Sequence, residues 1–162
     1  MRIRHKRGRH RSKPYLPKIG FFDGMEFRAT LDHNATYDLQ GRDQMDWNKL
    51  TGISYCLFTS HKNSAMIGWR YCIDSNLFEL NAYYHIDGVR TYTETLVQVQ
   101  PGEEFSGSIR LEDGTVITTI NDVTHAESFP KLRGIRRRIS SWFGGNRPAP
   151  NNIHFELNTS MI

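Results

Sequence analysis

Five residues in the middle of the chain carry side chains suited to moving a proton or holding an anion: His61, Asn63, Arg70, Tyr83 and His85. Tyrosine or histidine can remove a proton alpha to a carboxylate while arginine or asparagine neutralises that carboxylate, which is the requirement for eliminative cleavage of an acidic polysaccharide. Spacing does not force the five together and the residue types are common, so the sequence assigns no catalytic residue. A retaining glycosidase needs two carboxylates facing one cleft about 5 Å apart. No E-x-D-x-x-E pattern occurs, and Glu103-Glu104 read as a solvated turn before a strand. His5, His10, His33, His125 and His154 show no ligand spacing. Asp32, Asn34, Asp38 and Asp43 lack the EF-hand order, and Cys56 and Cys72 lack CxxC spacing. No metal and no cofactor is expected.

The elements that must position these residues read as strands. Asp46 to Tyr71 reads as a hairpin about a polar loop, Thr59–Ser64. Ala65, Ile67, Trp69 and Tyr71 fall on one face, and Met66, Gly68, Arg70 and Cys72 on the other. Trp69 therefore points to the core. In that hairpin Cys56 would pair near Ile67 and Cys72 near Thr51, on opposite faces, so two reduced thiols are expected rather than a disulfide. Before the hairpin, Met25–Leu31 alternates and Thr36–Leu39 suggests one short strand. After it, Leu77–Ile86 alternates with Tyr83 and His85 on the polar face. Asp87-Gly88, Pro101-Gly102 and Asp113-Gly114 punctuate strands over 90–100, 105–111 and 115–120, the spacing of a β-sandwich or barrel meander. Residues 121–130 read as a loop, and Ile153, Phe155 and Leu157 mark a closing strand. No segment keeps a helical period.

Charge is distributed unevenly. Residues 1–18 hold Arg2, Arg4, Lys6, Arg7, Arg9, Arg11, Lys13 and Lys18 with no acid, leaving 13 basic and 17 acidic side chains in the remainder. With almost no apolar residue before Tyr15 and with Pro14 and Pro17, this stretch reads as an extended arm that docks on a polyanion, either nucleic acid or an acidic protein surface. Lys131, Arg133, Arg136, Arg137 and Arg138 form a second basic cluster. No apolar run is long enough to span a membrane and no membrane partner is expected. The basic N-terminus lacks the apolar segment of a secretory signal.

His61-Lys-Asn-Ser-Ala-Met-Ile-Gly-Trp-Arg-Tyr71, together with Phe143-Gly-Gly-Asn-Arg-Pro-Ala-Pro-Asn-Asn-Ile-His-Phe-Glu-Leu157 and the intervening FELNAYYHIDGVRTY, resembles small β-sandwich proteins of Bacteroidetes and their tailed phages. The resemblance covers about residues 24–158. It implies a concanavalin A-like jelly roll and brings no activity with it. Independently of it, Gly144-Gly145 followed by Pro148 and Pro150 would present Asn146 and Arg147 at a rigid rim.

The combined expectation is an all-β jelly-roll sandwich over 19–162 with a basic arm over 1–18. Its role is that of a non-enzymatic structural or accessory protein of a large assembly, a tailed-phage virion made in the host cytoplasm, contacting other subunits through the arm and the second cluster. The alternative is a lectin-like carbohydrate-binding module, with a polysaccharide lyase behind it, in which Arg70, Tyr83, His85, Asn146 and Arg147 meet a glycan.

Overall fold

The computed structural model describes residues 1–15 and 18–162. The strands are β1 (Arg2–His5), β2 (Ser12–Lys13), β3 (Ile19–Gly20), β4 (Gly24–Thr30), β5 (Asn48–Ser54), β6 (Ser64–Cys72) and β7 (Leu77–Ile86), followed by β8 (Val89–Tyr92), β9 (Val97–Val99), β10 (Glu104–Glu112), β11 (Thr115–Ile120), β12 (Val123–Ser128), β13 (Arg136–Ile139) and β14 (Ile153–Met161). They form two antiparallel sheets. One runs β12-β11-β10-β4-β14-β1-β2, the other β3-β13-β5-β6-β7-β8, with β9 also on β7. Alternation supplies the core: Met25, Phe27 and Ala29 of β4 and Ile153, Phe155 and Leu157 of β14 meet Ala65, Ile67 and Trp69 of β6 and Phe78, Leu80, Ala82 and Tyr84 of β7. Trp69 sits at its centre, with ring centroids of Phe155 at 5.7 Å, Tyr37 and Phe78 at 5.9 Å and Phe143 at 6.1 Å. The all-β sandwich is as the alternation indicates.

The N-terminal segment departs from the expected free arm. Arg2–His5 is an interior strand, paired to β14 from Arg2↔Glu156 to His5↔Ile153 and to β2 on its other side. Ile3 and His5 are buried beneath exposed Arg2 and Arg4. Two inward side chains within an arginine run suffice, because a half-buried strand needs only alternate residues on the core. Lys6, Arg7 and Arg9 lie on the exposed turn to β2. Leu16 and Pro17 of the expected arm lie outside the described residues.

Other boundaries shift as well. Thr36–Leu39 is not a strand; it lies between two 3-10 turns, His33–Ala35 and Arg42–Met45. The expected loop over 121–130 contains β12, which pairs along β11 from Ile120↔Val123 to Thr115↔Ser128. The expected single strand over 90–100 divides into β8 and β9, two separate partners of β7. In the central hairpin Thr51 faces Ile67 and β5 ends at Ser54, leaving Cys56 in the loop and Cys72 opposite Leu77. Both cysteines are free thiols.

Candidate functional site

The outward face of the β13-β5-β6-β7-β8 strands carries a cleft of about 550 Å³. Its floor is β7 and its neighbours. Ser64↔His85 and Met66↔Tyr83 place His85 and Tyr83 beside β6. Tyr83↔Tyr92 and His85↔Arg90 place the β8 side chains beside them. Lys49 of β5 pairs with Gly68, and its Nζ lies 4.4 Å from the centre of the Tyr83 ring. Tyr83 is stacked on Tyr92, with centroids 5.7 Å apart and planes 10° from parallel. The far wall is the segment after β13. Trp142 stacks on His10 at 5.2 Å there, and Gly144, Gly145 and Asn146 complete the rim.

The lining is cationic. Arg11, Lys49, His61, His85, Arg90 and Arg137 face the cleft, and among the described residues no aspartate or glutamate lines it. Burial dominates the titration of its floor. Desolvation, with His61, Lys49 and Arg90 nearby, pulls the His85 imidazole down to about 4. Desolvation also lowers the Lys49 ammonium to about 8 against the opposing pull of Asp46, and it raises the Tyr83 hydroxyl. At neutral pH His85 is therefore uncharged. Ser64 Oγ donates its one hydrogen to Ser60 O at 2.5 Å, so the 3.4 Å contact with His85 is donated by Nδ1. Nε2 is left as the basic nitrogen. His61 packs edge-on to the same ring at 5.1 Å.

The rim is held from within the fold. Asn48, fully buried, donates to Tyr37 Oη at 2.9 Å and accepts the Gly144 N–H. Gly144 has φ +70°, a conformation that favours glycine, and a Cβ there would strike Arg147 O. Phe143, one residue earlier, is buried against Trp69 and Tyr37, so one turn joins core and cleft wall.

Of the five residues expected to meet a ligand, Tyr83, His85 and Asn146 line the cleft. Tyr83 and His85 are buried in its floor rather than on an open surface. Arg70 shares their face but is held by Glu79 at 2.7 Å and lies over Trp47 at 4.1 Å, outside the lining. Arg147 is paired to Asp43 at 2.8 Å, also outside it. Asn63 bonds Asp87 in the turn beside the cleft.

The expected second basic cluster is divided by strand alternation. Arg137 faces the cleft, and Lys131 and Arg133 are exposed. Arg136 pairs with Asp23 at 3.0 Å, and Arg138 donates to Thr159 at 2.8 Å. Among the basic residues of the first stretch, Arg11 joins the cleft lining, while Lys13 is exposed on β2. Sequence reasoning missed Lys49, Arg90 and Trp142. The parity of Lys49 is hidden by a bulge between Lys49 and Thr51. Among the described residues no group of three His, Cys, Asp or Glu converges as a metal site would, and no helix is long and apolar enough to cross a membrane.

No known protein family profile matches the chain, and no curated protein matches it in sequence. Solved structures do. A polysaccharide lyase of family 18 aligns with TM-score 0.59 at 8% identity, over 97% of this chain and 82% of that one. The alginate lyase from Klebsiella pneumoniae aligns with TM-score 0.62 at 13% identity, over 86% of this chain and 60% of that one. LamAcat from Zobellia galactanivorans aligns with TM-score 0.58 at 10% identity, over 99% and 75%. The chain thus spans about three fifths of the Klebsiella enzyme. At these identities the likeness establishes the fold, a concanavalin-like jelly-roll sandwich. It overturns the expectation of a non-enzymatic virion component. The solved chains that share this architecture include lyases, and the segment expected to anchor an assembly is an interior strand of the sheet.

Proposed function

We propose that the cleft binds an acidic polysaccharide and cleaves it by β-elimination. The observation that carries this reading is a lining of five cationic or imidazole side chains, with no carboxylate among the described lining residues, around the uncharged buried His85. Solved neighbours described as alginate lyases, one of them a complex with product, support it.

A uronate carboxylate sits among Arg90, Arg137 and Lys49, where positive charge offsets the negative charge that builds as the adjacent C–H bond breaks. His85 Nε2 takes that proton. The electron pair forms the new C=C bond, the glycosidic oxygen leaves on the other side, and the Tyr83 hydroxyl supplies its proton. Tyr83 holds its proton at neutral pH, and Arg90 beside it, acting against the effect of burial, favours the phenolate left by the transfer. Asn146 at the rim offers its amide to sugar hydroxyls.

The test is incubation with alginate and other polyuronates, following the absorbance of the unsaturated chain end. His85→Ala and Tyr83→Phe are each expected to lower the rate by about 10²-fold or more. A second reading, a lectin-like module, is favoured by Tyr92 and Trp142, partly exposed aromatics that suit sugar stacking. Retarded migration through a polyuronate gel without any unsaturated product would select it. Neither binding nor product would dismiss both readings.

A further inference from the structure

One end of the β3-β13-β5 ribbon is apolar and basic at once. Ile19 and Ser54 both face Arg137, so β3 and β5 flank β13, run in the same direction and leave the sheet at the same end, where β13 begins. Three segments therefore emerge together: the chain after Gly20, the loop after Ser54, and the residues before Arg136. Several of their apolar side chains, with Ile19 of β3, are exposed, while Phe22 is buried and Tyr55 packs against the core. Phe58 is 96% exposed, Phe21 78%, Ile19 58% and Ile135 42%. These segments also carry Lys18, Lys62, Lys131 and Arg133, all exposed, and no acid from 18 to 22, 55 to 63 or 131 to 137. Asp23, the next acid along the chain, is paired with Arg136. Asp87 is tied to Asn63, and Glu112 and Asp113 lie on the β10–β11 turn at the same end.

Phenylalanines on separate loops, exposed over most of their surface and on segments that carry cations, form a protrusion rather than a groove. A protrusion of this chemistry suits a soft anionic surface. The rings enter the headgroup–acyl boundary while lysine and arginine remain among the phosphates. We propose that this end docks on an anionic phospholipid bilayer. This concerns peripheral attachment, distinct from the spanning segment that the sequence lacks. The loop bearing Phe58 also carries His61 of the cleft, so docking would set the cleft mouth close to the membrane plane. The inference does not depend on the proposed cleavage.

The test is co-sedimentation of the full chain with vesicles of phosphatidylcholine alone and of phosphatidylcholine mixed with phosphatidylglycerol, at low and high salt. Binding is expected only to the mixed vesicles, weakening as salt rises. Phe21→Ser with Phe58→Ser is expected to lower it by about tenfold per ring. Lys131→Glu with Arg133→Glu should lower it by roughly fivefold per charge. Polyuronate binding in the cleft, measured on the same variants, should be unchanged, which shows that they are folded. Absence of binding to the mixed vesicles overturns the proposal. So does binding that survives loss of both rings, since the attachment would then be charge alone. Capture by an acidic polypeptide such as polyglutamate without capture by vesicles overturns it in favour of a protein partner.

Discussion

The side-chain oxygen of Asn48 accepts the backbone N–H of Gly144, 96 residues later in the chain, while its amide nitrogen donates to Tyr37. One buried amide thus closes three segments around the far wall of the cleft. Asn48→Ala would leave the Gly144 N–H short of a partner in a dry site, at a cost of about 1–3 kcal/mol, while Tyr37 Oη would keep only the Tyr71 N–H at 3.3 Å. The expected outcome is a lower urea midpoint with an unchanged m-value, together with weaker polyuronate binding because Asn146 loses its support.

Stability should rise with pH between about 4 and 6.5. His5, buried between His10 O at 3.1 Å and Ser141 Oγ at 2.9 Å, is pulled from 6.5 down to about 4 by desolvation. His85 is shifted in the same direction for the same reason. In that window the unfolded chain binds protons the folded one refuses, so acid favours unfolding, and the stability present above 6.5 is lost as pH falls towards 4. His5 contributes on the order of 3 kcal/mol across the window. Urea unfolding of His5→Gln at a series of pH values should show a visibly flatter dependence. An unchanged slope would remove His5 from this role.

Gly52→Ala is expected to be among the most damaging small substitutions. A Cβ at Gly52 would stand 2.3 Å from Ala65 O and 2.7 Å from Met66 Cα, both backbone atoms of the paired strand. Since the backbone cannot yield as a side-chain tip does, β5 and β6 must separate locally, with a loss of about 1–3 kcal/mol. Thermal unfolding checks this directly, and a melting temperature equal to that of the unaltered protein would contradict it.

Arg90→Gln and Arg137→Gln each remove a cleft cation while leaving the strands paired through backbone groups. Polyuronate affinity should drop by roughly three- to tenfold for each, and its salt dependence should become shallower. Arg4→Gln, on the exposed face of β1, should change neither. Isothermal titration at two salt concentrations separates these outcomes.

Much of the sandwich was legible because alternation is local. Leu77–Ile86 carries its parity from end to end, and Asp87-Gly88 turns the chain where a two-residue hairpin signal says it should. Trp69 reads as core from its own neighbours and is fully buried. The site was less legible because it depends on which strands lie side by side. Tyr83 and His85 share a face with each other, but nothing local says that Lys49 reaches them, or that Trp142 turns back over Lys49. The N-terminal stretch misled because composition averages over residues. Arg2 and Arg4 dominate the count, whereas Ile3 and His5 decide the burial.

The position of β1 between β14 and β2 also has a consequence in time. Arg2 pairs with Glu156, so β1 cannot take its main partner until β14, far along the chain, has been made. Such remote pairing carries a large closure entropy and makes for slow assembly. Until β14 seats, β1 has only β2 beside it and its other edge is open, and open edges recruit other chains. Arginines at 2, 4, 7 and 9 repel a second copy of the same segment while leaving Ile3 and His5 free to seat when Phe155 and Ile153 arrive. That positive charge thereby opposes association of unfinished chains through an edge that the finished sheet covers with β14.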